Sequence, residues 1–261
     1  MKKIRNNEGK GYQGQIRNYI LSVIIFLVAW EILAESTTRF HLMPTPYETA
    51  LALARLASTG ILFENIKASL FRVLSGFTIA FSVAVPLGFL IGWYKTVKEL
   101  SDPIINLFRV TPPLAFIPLM IIYFGIGELS KIMVITYAAF FVLVVIVYQA
   151  VRNVDAVLIK AARVLGAKDR DLFFHVVVPH SVPYIIAGCR VAIGSSWMSV
   201  VASELIAAQS GLGYMIEDAL RYFDIDVIVG GIIVIGIIGL IMDGIVRYIE
   251  RRVTVWMVRV S

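Results

Sequence analysis

The chain is 261 residues long, 59% of them hydrophobic and only 16% charged, with a mean hydropathy of +0.82 and a net charge of +6. Soluble domains average about a quarter charged residues, so this balance excludes an ordinary water-soluble enzyme and points to lipid. The single cysteine, Cys189, lies in an apolar run, which excludes a disulfide framework and a cysteine-based zinc site and makes it a buried small hydrophobe.

Six apolar runs approach the roughly 20 residues that a bilayer crossing needs: 19–34, 69–94, 104–126, 132–151, 183–208 and 227–246. They predict an all-α polytopic membrane protein with six transmembrane helices. Residues 1–18 read as a basic tail and 19–36 as an anchor helix. No small-residue cleavage site follows, the chain running Trp30-Glu31-Ile32-Leu33-Ala34-Glu35, so the anchor is expected to be retained. Residues 37–62 form an outer connecting segment in which Pro44-Thr45-Pro46 interrupts any helix. Residues 63–250 form the membrane domain and 251–261 a C-terminal tail. Sixteen Lys and Arg fall on the segments shared with the N-terminus and five on the opposite segments. That asymmetry puts both termini in the cytoplasm of a bacterial inner membrane. Anionic lipid then accounts for the positive charge without nucleic acid.

The second span carries Gly76, Ala80, Ala84, Gly88 and Gly92 at a stride of four, a pattern that lets helix backbones pack closely. The third contains Thr111-Pro112-Pro113 and Pro118, so it is expected to be kinked or interrupted, either as a pathway-lining element or as a structural bend. Between the fourth and fifth spans, residues 152–182 form a long cytoplasmic loop. Val154, Val157, Leu158, Ala161, Ala162 and Leu165 recur there at helical spacing until Gly166 breaks the pattern. Such a helix either meets a partner or lies on the lipid surface.

The fifth span carries Ser195, Ser199 and Ser203 at stride four, next to Glu204. The hydroxyls either line an aqueous path or bond a neighbouring helix. Glu204 reads as a helix-packing or gate-region partner, since it would repel an anion. Arg109 and Arg190 are better placed to attract one, unless they snorkel or pair with a carboxylate. Asp243 and Arg247 form an i, i+4 pair. His41, His175 and His180 are too scattered for a metal site. No P-loop run occurs, so the chain holds no nucleotide cofactor and its energy comes from another subunit. A secondary transporter driven by an ion gradient would need inverted repeats, and none stands out.

Lys160-Ala161-Ala162-Arg163-Val164-Leu165-Gly166, nine residues, then Val176-Val177-Val178-Pro179 resembles the E-A-A-x3-G-x9-I-x-L-P loop of type I ABC importer permeases. The spacing matches throughout, with Lys160 where the family has Glu. The stretches 69–77, 86–94, 124–131 and 202–216 resemble the branch that serves nitrate, sulfonates, taurine and bicarbonate. The resemblance implies a coupling helix, with Lys160, Ala161, Ala162, Arg163, Gly166 and Pro179 contacting an ATPase subunit. It also implies two ATPase subunits, a second permease copy or paralogue, a periplasmic or lipid-anchored solute-binding protein, and no catalysis in this chain. Arg109, Pro112, Pro113, Arg190, Ser195, Ser199, Ser203 and Glu204 are the pathway or gate candidates.

Overall fold

The computed structural model describes residues 2–36 and 43–254, which leaves Arg39, His41 and the tail carrying Arg259 outside the described residues. All regular elements among those residues are helical. They are α1 (Lys2–Ser36), α2 (Pro46–Ser58), α3 (Ile61–Trp93), α4 (Lys95–Val110), α5 (Ile117–Phe124), α6 (Glu128–Arg152), α7 (Ala156–Val164), α8 (Asp169–Leu172), α9 (Val178–Ala207), α10 (Leu212–Arg221) and α11 (Ile225–Val253). A 3-10 turn, Pro113–Phe116, precedes α5, and a π-helical turn, Phe173–Val177, joins α8 to α9.

Helix α1 takes in both the basic segment and the anchor. From Ile20 to Leu33 its large apolar side chains lie exposed, except that of Trp30, whose indole N–H donates to the Pro44 carbonyl at 2.9 Å. The expected break at Pro44-Thr45-Pro46 is the start of α2. Thr45 and Glu48 form a reciprocal capping box there and Pro46 takes the first turn, where its missing N–H costs nothing.

The core is ordered around α6. A Cβ at Gly76 would meet Ile135, one at Gly88 would meet Val147, and one at Gly92 would meet Val151, all at 2.6–2.7 Å. The partners advance in step with the glycines, so α3 and α6 run parallel. On the other side of α6, Gly188 faces Ile146 and the Ser195 hydroxyl bonds the Ala138 carbonyl at 3.4 Å, so α9 runs antiparallel to it. Trp197 bonds Ile235 and Arg190 pairs with Asp243, which makes α11 antiparallel to α9. One end of the bundle, called upper here, holds Arg72, Glu128 and Glu204; the lower end holds Trp93, Arg152 and Val178.

Among the described residues, four helices are long and apolar enough to cross a membrane by themselves: α3, α6, the continuous run Asp169–Ile206, and α11. The third expected span is more than kinked. Segments Lys95–Val110 and Pro113–Phe124 meet at 92°. Because α3 and α6 are parallel, the chain from Trp93 to Glu128 has to return from the lower to the upper end, so this bent pair is a broken crossing. The fifth span also begins earlier than residue 183. Helical structure runs through from Asp169 and leaves Pro183 inside α9, because the π turn absorbs the missing N–H of Pro179: the Val178 N–H reaches five residues back to the Phe173 carbonyl.

Candidate functional site

The segment between α6 and α9 lies at the lower end of the bundle. Asp155 caps α7, its carboxylate accepting the Val157 N–H at 2.8 Å. The helix ends in a paired motif: the Gly166 N–H bonds the Arg163 carbonyl at 3.0 Å and the Ala167 N–H bonds the Ala162 carbonyl at 3.1 Å. This closure puts the residue after the cap in the left-handed region, and Gly166 has a φ of +87° there. The Lys168 N–H is held by the Asp171 carboxylate at 3.1 Å, and Arg163 pairs with Asp169 at 3.2 Å. No residue of α7 is buried; Val157 is 67%, Val164 87% and Leu165 87% exposed. Lys160, Ala161, Arg163, Gly166 and Pro179 are also exposed, and Ala162 is half-buried. Phe173 ties this segment to the bundle by edge-on contacts with Phe89 at 5.7 Å and Trp93 at 5.2 Å. Beside them lies a groove of about 640 Å³ lined by Leu90, Tyr94, Arg170 and Phe174.

The upper end holds a buried polar clasp. Arg72 of α3 uses every guanidinium N–H. Nε and Nη2 donate to the two Glu128 oxygens at 2.6 and 2.7 Å. Nη1 donates to Glu204 and to the Ser210 carbonyl, both at 2.6 Å, and Nη2 also reaches the Ser210 hydroxyl at 3.1 Å. Glu204 accepts from the Ser69 hydroxyl at 2.8 Å and from the Gly213 N–H at 2.9 Å. Asn65 takes the Gly211 N–H at 2.7 Å, and the Ser69 oxygen takes the Leu212 N–H at 2.9 Å. The open N–H groups at the start of α10 are therefore capped by α3 and α9, since Gly211 has no side chain to do it. Gly211, at a φ of +117°, and Gly213 both approach Glu204 so closely that a Cβ would collide with it. Lys131, 5% exposed, adds a 3.0 Å pair with Glu128.

Of the sequence candidates, this clasp holds Glu204. It also brings in Asn65, Ser69, Arg72, Glu128, Lys131 and Ser210, which the sequence reading did not select. Arg72 and Glu204 are opposite charges expected at the same end of their spans, and that juxtaposition is the signal that could have joined them. Ser203 bonds its own helix at the Val200 carbonyl and Ser199 is 4% exposed, so the serine stripe is packed, with Ser195 bonding α6. Arg190 pairs with Asp243 at 2.8 Å and with Glu250 at 3.7 Å; Asp243 also pairs with Arg247.

Pro112 and Pro113 sit at the break of the third span. Pro112 removes the N–H that the Phe108 carbonyl would accept in a continuous helix. The Tyr137 hydroxyl of α6 donates to that carbonyl at 2.7 Å instead. Phe116 and Phe141 flank Tyr137 with ring centroids at 4.4 and 4.9 Å. Arg109 is exposed beside the break. Among the described residues no group of His, Cys, Asp or Glu could hold a metal ion.

Comparison with known proteins fits this architecture. The chain is 46% identical to a probable ABC transporter permease protein of Brucella abortus (strain 2308) over 240 residues, covering 92% of this chain and 95% of that one. It is 35% identical to the taurine transport system permease protein TauC of Escherichia coli (strain K12) over 238 residues, 89% of this chain and 86% of that one. In shape it is similar to a chain of the MetNI methionine ABC transporter in an inward-facing conformation, with a TM-score of 0.64 at 19% identity, covering 74% of this chain and 96% of that one. Residues 84–255 match the binding-protein-dependent transport system inner membrane component family, and the chain is a member of that family: a membrane-embedded permease subunit of an ABC importer.

Proposed function

We propose that this permease forms the pathway for a small anionic solute of the sulfonate, taurine, nitrate or bicarbonate type, and is itself non-catalytic. It pairs with a second copy or a paralogue and engages two ATPase subunits. A periplasmic or lipid-anchored binding protein delivers the solute. Both termini lie in the cytoplasm, the lower end of the bundle carrying Arg152, Arg247, Arg251 and Arg252 in accord with the positive-inside rule. ATP binding closes the ATPase subunits and pulls the coupling helices together, which opens the cavity outward, and hydrolysis resets it.

The observation that carries this reading is α7, a capped amphipathic helix with no buried residue, resting on the lower end of the bundle through Ile159 and otherwise open to solvent. The small side chains of Ala161, Ala162 and Gly166 give it a low surface that a groove on a partner can cover. Its family resemblance to the coupling loop names the partner as the ATPase. Lys160, where that family has Glu, supplies a cation to the rim.

Gly166 makes this testable. A Cβ there meets nothing within 4 Å, so a substitution acts on the chain turn through its left-handed φ, at a cost of about 1–2 kcal/mol. Gly166→Val is expected to lower solute uptake while leaving the permease in the membrane. Full uptake by that variant would remove the turn from the coupling mechanism. Failure of the wild-type chain to co-purify with an ATPase subunit would remove the reading as a whole.

A further inference from the structure

Among the described residues, Arg72, Lys131 and Arg190 in the bundle are each compensated inside the chain. Arg72 pairs with Glu128 and Glu204, Lys131 with Glu128, and Arg190 with Asp243 and Glu250. Arg109 is exposed, and no carboxylate lies within ion-pair reach of it among the described residues. Its depth follows from its neighbours. The Phe108 carbonyl is held by Tyr137 and the Phe108 ring stacks on Phe141 at 5.6 Å. Those two residues come nine and thirteen positions after the start of α6 at Glu128. At ~1.5 Å per residue that is about 14–20 Å into a helix roughly 38 Å long. Arg109 therefore sits near mid-membrane, where a snorkelling side chain falls short of either interface.

The backbone leads to the same place. Pro112 and Pro113 remove the N–H partners of the Phe108 and Arg109 carbonyls. The first carbonyl is taken up by Tyr137; the second is left beside exposed Val110 and Pro112. Irregular backbone at this depth is stable only when buried in protein or lining a water-filled cavity, and an uncompensated guanidinium facing hydrocarbon is unfavourable on its own account.

We infer that the break at residues 108–113 lines a water-filled cavity and that Arg109 is its counter-charge, pairing with a small oxyanion in transit. A guanidinium offers a planar fork of donors that fits carboxylate, sulfonate and nitrate oxygens alike. Arg109 is thus a specificity-determining residue for charge, and Tyr137 is a positioning residue that fixes the backbone carrying it. The inference rests on the permease reading for the purpose of the cavity and on geometry for its existence.

Cysteine chemistry tests it in the complex purified with its ATPase subunits. Cys189, the sole native cysteine, is first replaced by Ala. Thr111→Cys, two residues after Arg109 at the C-cap of α4, is then treated with two water-soluble methanethiosulfonates, one bearing a sulfonate and one a trimethylammonium group. With Arg109 present the sulfonate reagent is expected to react roughly tenfold faster, a ratio within reach of one nearby charge. Arg109→Gln is expected to abolish that preference and Arg109→Lys to retain it. The inference is overturned if neither reagent modifies Thr111→Cys or Arg109→Cys in any nucleotide state, or if the preference survives Arg109→Gln. Loss of the ATPase subunits from the wild-type complex would instead count against the permease reading, since the labelling ratio does not depend on them.

Discussion

Arg72 donates all five of its N–H groups to acceptors on α6, α9 and the turn before α10, in a site where its own side chain is 1% and that of Glu204 0% exposed. A buried pair of this kind contributes little net stability over an apolar substitute, because desolvation offsets the attraction. Removing one partner is a different matter. Glu204→Ala strands part of the guanidinium and also uncaps Gly213 and Ser69, and single-partner losses of this type cost about 3–5 kcal/mol. The variant is expected to melt well below wild type in detergent. Glu204→Gln, which keeps the shape and an acceptor oxygen, is expected to fall between them. Equal melting of Glu204→Ala and wild type would show that the clasp does not join the three elements in the folded protein.

At the scale of elements, α6 is the shared wall on which α3 and α9 pack, and the fit to α3 is set by missing side chains. A Cβ at Gly88 would lie 2.6 Å from Val147 and 3.2 Å from the Val144 carbonyl, so a backbone atom as well as a side chain stands in the way. Gly194, in α9, has nothing within 4 Å of the same position. Gly88→Ala is therefore expected to destabilise by roughly 1–3 kcal/mol, the usual range for overpacking. Gly194→Ala is expected to be near neutral; thermal unfolding of the two side by side decides it. This stripe was legible in the sequence because stride four is a local pattern whose meaning does not depend on the partner. The clasp was not legible in that way. Arg72 and Glu204 are 132 residues apart, and their pairing exists only once α3 and α9 have been laid against α6. The broken third span falls between the two cases: the prolines announced an interruption, whereas the 92° bend and the Tyr137 bond that replaces the lost helix contact depend on the neighbouring helix. Helix α7 was legible down to its end at Gly166, since a left-handed helix end has a near-obligate residue type, but the run of helix from Asp169 into α9 hid behind Pro179 and the π turn that accommodates it.

The whole molecule imposes a parity condition. From Ile61 at the upper end the chain descends in α3, returns through the broken pair, descends in α6, ascends in α9 and descends in α11 to Val253. That is an odd number of crossings, so the residues before α3 and the end of α11 lie on opposite sides. A cytoplasmic N-terminus therefore requires α1 to cross as well. Its exposed apolar face from Ile20 to Leu33 suits lipid, and the bond from Trp30 to the Pro44 carbonyl lies at the end that leads to the upper side. Fluorescent-protein fusions, which mature only in the cytoplasm, are expected to be bright at both residue 1 and residue 261. An alkaline phosphatase fusion after Gly60 is expected to be active, since that enzyme folds only outside. A dark N-terminal fusion with a bright C-terminal one would mean that α1 lies along the membrane surface and that the charge asymmetry of the sequence had assigned the N-terminus to the wrong side.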